Sequence, residues 1–215
     1  MDKGPVETTL YSLRDEAPDV SQGEDRRDGK RHMTLFRVGA IVLADQRELC
    51  LIKNISAGGM MVRVYCDVAP ETPIRIELKC GEPISGSVTW VNGNNCGITF
   101  DAPIDVLDIL ATNEHGPRPR MPRIEIECPV TLYDEGHRIE VRALDISQGG
   151  IKVESDASLH CDADIAVALP GMAPLAGVVK WASEDCAGIT FNRLVPLATL
   201  IGWLQERRDG LRKAS

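Results

Sequence analysis

Two clusters of arginine, each followed downstream by a short polar turn sequence, are the features of this chain most capable of chemistry. The first cluster runs Arg26, Arg27, Asp28, Gly29, Lys30, Arg31, and the second holds Arg118, Arg120 and Arg123. The polar elements are Asn54-Ile55-Ser56-Ala57-Gly58-Gly59 and Asp145-Ile146-Ser147-Gln148-Gly149-Gly150. A guanidinium offers forked donors to a phosphate, paired donors to the O6 and N7 of guanine, and a flat face that stacks on a purine; lysine offers only a point charge. A carboxylate or amide oxygen accepts hydrogen bonds from a base edge, a hydroxyl bonds ligand or backbone, and glycine permits close approach. The bland alternatives are a solvated charge run and an ordinary turn between strands, for which Asn, Ser and Gly are common residues.

These residues repeat with the chain. Asp145 follows Asn54 by 91 residues, Trp181 follows Trp90 by 91, and Phe191 follows Phe100 by 91. The segments ending in Gly-Ile-Thr-Phe nearly coincide in the two halves. A motif, a tryptophan strand and a closing strand in the same order at the same separations mark a duplication. Each copy reads as six short β-branched-rich runs separated by turn residues. Ile74, Ile76 and Leu78 alternate with Arg75, Glu77 and Lys79, as on a strand with one wet face. Six closely spaced strands point to a closed antiparallel barrel. Each copy ends in helical periodicity, with Ile104, Leu107, Leu110 and Ala111 after Pro103, and Leu197, Leu200, Ile201 and Leu204 after Pro196. Such a helix either plugs a barrel end or serves as a partner or domain interface. The expected fold is all-β with short terminal helices, in two tandem six-stranded antiparallel barrels.

An R-x-x-x-R loop followed by [DN]-x-S-x-x-G, repeated in an all-β context, resembles the PilZ domain family. The resemblance divides the chain into a disordered N-terminal arm at 1–21, a first PilZ-like domain at 22–113, a linker at 114–117 and a second domain at 118–210. It implies a non-enzymatic receptor for the bacterial second messenger cyclic di-GMP. In the first domain the implied ligand residues are Arg26, Arg27, Arg31, Asn54, Ser56 and Gly59, with the arginine loop folding over the nucleotide. In the second they are Arg118, Arg120, Arg123, Asp145, Ser147 and Gly150. There the pattern is broken: Pro122 stands where the offset would put the second arginine, and Arg123 comes one place later. Ligand binding by the second copy is left open. The rival reading is a protein–protein scaffold in which one or both domains bind no nucleotide. The family resemblance also implies an effector protein in motility, exopolysaccharide or virulence systems.

The totals narrow the other classes. A net charge of −8 and only nine aromatic residues in 215 disfavour a nucleic-acid partner, which calls for many phosphate contacts and stacking platforms. Seven scattered cysteines without a C-x-x-C pair fit free thiols in a reducing compartment, and the four histidines show no ligand spacing, so no metal is expected. The N-terminal stretch lacks a secretion signal and no apolar run is long enough to insert in a membrane, so a cytoplasmic location is expected.

Overall fold

The computed structural model describes residues 34–44, 46–78, 83–110 and 121–214. Strands β1 (Thr34–Leu43), β2 (Gln46–Ser56), β3 (Gly59–Arg63), β4 (Pro73–Glu77), β5 (Ile84–Asn92) and β6 (Asn95–Phe100) precede a short helix α1 (Val106–Leu110). The second copy repeats the order with β7 (Ile124–Asp134), β8 (His137–Ser147), β9 (Gly150–Glu154), β10 (Asp164–Ala168), β11 (Leu175–Ala182), β12 (Cys186–Phe191) and α2 (Leu197–Ala214). Each set closes on itself. The first barrel runs β1-β2-β3-β6-β5-β4, and β4 pairs back with β1; the second repeats this circuit, and every pairing is antiparallel. Closure removes the exposed strand edges that a six-stranded open sheet would carry.

The alternation seen in the sequence sets the pleat. Ile74 and Ile76 face the core while Arg75 faces water. The first core gathers Ile41, Ile52, Ile55, Val62, Ile76, Val88 and Ile98, all almost fully buried. Burying each such side chain stabilises the fold by about 1.5–3 kcal/mol. The duplication extends to backbone detail. Ala44 and Glu135 share a positive φ, as do Glu71 and Asp162, again 91 positions apart. Glu71 N donates to Val88 O at 2.7 Å and Asp162 N donates to Val179 O at 2.8 Å. Both copies therefore make the same left-handed corner before their fourth strands.

The tryptophans take a position that the sequence does not announce. Trp90 is paired with Gly97, and Trp181 with Gly188, across the last hairpin of each barrel. A Cβ on Gly97 would stand 2.0 Å from the Trp90 Nε1, and one on Gly188 would stand 2.1 Å from the Trp181 Nε1. Each indole thus lies flat on the backbone of the neighbouring strand, outside the barrel, and remains 42% and 44% exposed. This packing role is on the outer face, where the ring covers a glycine that has no side chain of its own.

The two helices differ. In the first copy Ile104 and Ile109 pack on the core while Leu107 is 70% exposed; α1 is described over five residues, and Ala111 lies outside the described residues. The start of α1 is capped by Asp105, whose Oδ1 accepts from Leu107 N at 2.8 Å. Helix α2 is eighteen residues long. Its Leu200, Ile201, Trp203 and Leu204 close the second core, and Trp203 Nε1 donates to Pro170 O at 2.8 Å. The following turn reaches the first barrel. Gln205 donates to Tyr65 O at 2.7 Å, and Arg208 grips Glu48 through both guanidinium nitrogens, Nη2 to Oε2 at 2.6 Å. Leu49, on β2 of the first barrel, belongs to the hydrophobic cluster of the second. α2 therefore serves as barrel plug and as domain interface at once. Among the described residues no helix is long and apolar enough to cross a membrane.

Candidate functional site

Strand register brings the start of each barrel's first strand to its polar motif. Thr34 lies opposite Asn54 on β1 and β2, and Glu125 lies opposite Asp145 on β7 and β8, the same pair in each copy. A one-residue irregularity precedes each motif residue, between Ile52 and Asn54 in one copy and between Ala143 and Asp145 in the other. A bulge of this kind turns the next side chain out of the regular alternation. Asn54 is consequently exposed and Asp145 half-buried, while Ile55 and Ile146 beside them point into the cores.

The motif side chains also hold their own corner together. Asn54 Oδ1 accepts from Met61 N at 3.1 Å, leaving one lone pair of that oxygen and the amide nitrogen uncommitted by this bond. Ser56 Oγ donates to Gly59 O at 3.0 Å, and Ser147 Oγ donates to Gly150 O at 3.2 Å. Gly149 N donates in turn to Ser147 Oγ at 3.3 Å. The final glycine of each motif is required by the barrel. A Cβ on Gly59 would fall 2.3 Å from Ile98 O, and one on Gly150 would fall 2.4 Å from Ile189 O. Close approach is thus real at both positions, and the approaching group is the backbone of β6 or β12.

In the second copy Arg123, immediately before β7, forms an ion pair with the Asp145 carboxylate. Lys152 stands opposite Asp145 on β9, where the first copy has Met61 opposite Asn54. Arg123, just before β7, and Lys152, on β9, bring positive charge to the neighbourhood of this carboxylate. Arg26, Arg27 and Arg31 of the first cluster, and Arg118 and Arg120 of the second, lie outside the described residues, as does the N-terminal arm.

A cavity of about 590 Å³ opens beside this corner of the second barrel. Its charged lining is Glu125, Glu127, Asp145, Lys152, Arg207 and Arg208. Lys152 and the two helix arginines were not among the residues singled out by the sequence motifs. Lys152 has a weak signal, since it is the 91-residue counterpart of Met61; Arg207 and Arg208 have none, because only folding carries α2 to that wall. Among the described residues no group of three His, Cys, Asp or Glu side chains is placed to hold a metal ion.

The PilZ domain family profile matches residues 25–111 and again residues 117–205. The chain belongs to the PilZ family. That family is one of cyclic di-GMP receptors and adaptors rather than enzymes. Solved structures with likeness to this PilZ chain include Borreliella burgdorferi PlzA in complex with c-di-GMP. It is 14% identical, with 78% of this chain and 86% of that one covered, at a TM-score of 0.35. The Bacillus subtilis inhibitor of motility MotI/DgrA is 13% identical over 80% of this chain and 95% of its own, at a TM-score of 0.33. Escherichia coli YcgR in complex with c-di-GMP is 13% identical over 83% and 88%, also at 0.33. No curated protein matches the chain.

Proposed function

We propose that the chain is a cyclic di-GMP receptor that works as an adaptor, with its principal site on the outer face of the first barrel. Asn54 and Ser56 meet the guanine edge and neighbouring backbone, Gly59 keeps the strand corner tight, and Arg26, Arg27 and Arg31 close over the phosphates and purine faces. The observation that carries this reading is the register of β1 on β2. Thr34 lies opposite Asn54, and Arg31 is only three residues before Thr34. At about 3.5 Å per residue the chain tethers Arg31 within roughly 10 Å of Thr34 and Arg27 within roughly 25 Å, with about 5 Å more across the strand pair to Asn54. Arginine side chains on such a tether meet a ligand seated at Asn54. Ordering the arm costs conformational entropy, so loop closure and ligand uptake are one event. The resulting change in surface is what a partner protein reads.

Support from within the molecule comes from the second copy, where the arginine just upstream of the first strand contacts the motif carboxylate. That same ion pair favours a second reading for this half. Arg123 neutralises the acceptor that a guanine edge would use, which suits a scaffold role for the second barrel as well as a weaker nucleotide site. Calorimetric titration of cyclic di-GMP into the full chain tests the proposal. Binding that Arg31→Ala largely abolishes supports it; an absence of binding by the intact protein refutes it.

A further inference from the structure

The ion pair between Glu48 and Arg208 joins residues of different barrels. The Glu48 residue is 6% exposed, one of the few charged groups buried in the described part of the molecule. Arg208 approaches from α2 with both terminal nitrogens. A buried carboxylate held this way depends on its partner, since removal of that partner leaves an uncompensated charge out of water. Arg208 has a second environment. With Arg207 and Lys152 it lines the 590 Å³ cavity that also contains Asp145 of the second motif.

The cavity's lining carries three cations, Lys152, Arg207 and Arg208, that an anion could meet. Of its carboxylates, Asp145 is paired with Arg123, and Glu127 is contacted by Arg142 at 3.5 Å. Glu125 is exposed at the rim. Among the cations, Arg207 lies over the Trp203 ring at 5.2 Å and donates to the backbone carbonyl of Glu127 at 3.3 Å. Neither contact cancels its charge. The cavity falls within the usual ~300–1,000 Å³ range of small-molecule sites. Lys152, Arg207 and Arg208 are the side chains there that a phosphate diester would meet.

We propose that a phosphate of the dinucleotide entering this cavity competes with Glu48 for Arg208. Ligand uptake by the second barrel and the ion pair between the barrels are then coupled in opposite senses. The inference rests on the cyclic di-GMP reading and extends it to the second barrel and to regulation of the joint. Reciprocity follows from linkage: with Arg208 intact, weakening the pair from the Glu48 side strengthens ligand binding, and ligand weakens the pair. The apolar part of the joint, centred on Leu49, keeps the barrels together while the ionic part opens.

The test uses the full chain carrying Arg31→Ala and Asn54→Ala, which removes the first-barrel site and leaves cyclic di-GMP binding to the second. In that background Glu48→Gln, which keeps shape and loses charge, is expected to tighten binding about tenfold, and Arg208→Gln to weaken it about tenfold. Hydrogen exchange at the Glu48–Ile52 amides is expected to speed up when ligand is added. Unfolding midpoints confirm that the variants are folded. If the background protein binds and Glu48→Gln leaves its affinity unchanged, the coupling is overturned while the receptor reading stands. If the background protein fails to bind while the unmodified chain binds, the coupling is again overturned and the first-barrel site survives. If the unmodified chain does not bind at all, both fall.

Discussion

Substituting Gly59 by alanine separates the two roles that a motif glycine can have. The added Cβ would sit 2.3 Å from Ile98 O, and Cβ atoms essentially never approach closer than 3.0 Å. Strands β3 and β6 would have to part locally by the missing 0.7 Å. The obstacle is a backbone carbonyl within a closed barrel, so it has no rotamer by which to escape. The neighbouring bond from Phe100 N to Gly58 O, now 3.0 Å, would stretch beyond hydrogen-bond range. Overpacking costs about 1–3 kcal/mol, and a lost hydrogen bond about 1 kcal/mol more. Reduced unfolded-state entropy returns about 0.4–1 kcal/mol. The expected loss is therefore about 1–4 kcal/mol, read as a lower urea midpoint. Gly58→Ala is the control. A Cβ there meets nothing within 4 Å, so its midpoint should move by no more than about 0.5 kcal/mol. A Gly59→Ala protein as stable as the parent but unable to bind cyclic di-GMP would refute this reasoning and assign the glycine to the ligand.

Other perturbations probe the core, the joint and the surface. Leu49→Ala should destabilise the whole chain by about 2–5 kcal/mol, seen as one lowered unfolding transition, because its side chain lies in the core cluster of the other barrel. Burial pushes the Cys66 and Cys96 thiols from 9.0 to about 11, and pushes Cys50 higher still. Folded-state pKa values above the unfolded one mean that the stabilisation is complete below about pH 9 and is lost as pH rises through about 11, so urea midpoints should fall across that window. At pH 8 a thiol reagent should label exposed Cys161 quickly and buried Cys50, Cys96 and Cys128 only on unfolding. Iodide should quench Trp90 and Trp181 but spare Trp203, which is 4% exposed, giving two classes of emission; a single class would contradict the packing described.

Much of the architecture was legible because duplication and β-periodicity are local signals. The 91-residue offset anticipates equivalent register pairs, Thr34 with Asn54 and Glu125 with Asp145. It likewise locates the matching corners at Glu71 and Asp162. The period-2 pattern of β4 is carried directly into burial. What escaped the sequence depends on contacts between distant segments. Helical spacing at Leu107 promised a packed face, yet that side chain stands in water. The Glu48–Arg208 pair spans 160 residues, and no spacing rule connects them. Leu49 lies on the face of β2 opposite the core residues Cys50 and Ile52, and nothing local in the sequence says that the neighbouring barrel covers it. The motif was legible as a candidate site. Its second role, bracing the strand corner through Ser56, Ser147 and the two close-packed glycines, required coordinates.

The most direct test of the account is to follow backbone and side-chain amide resonances while cyclic di-GMP is added to the full chain. The Asn54 side-chain amide and the Ser56, Gly59 and Met61 amides are expected to shift together with those of Arg27 and Arg31. Shifts confined to other surfaces, with these signals unmoved at saturation, would contradict it.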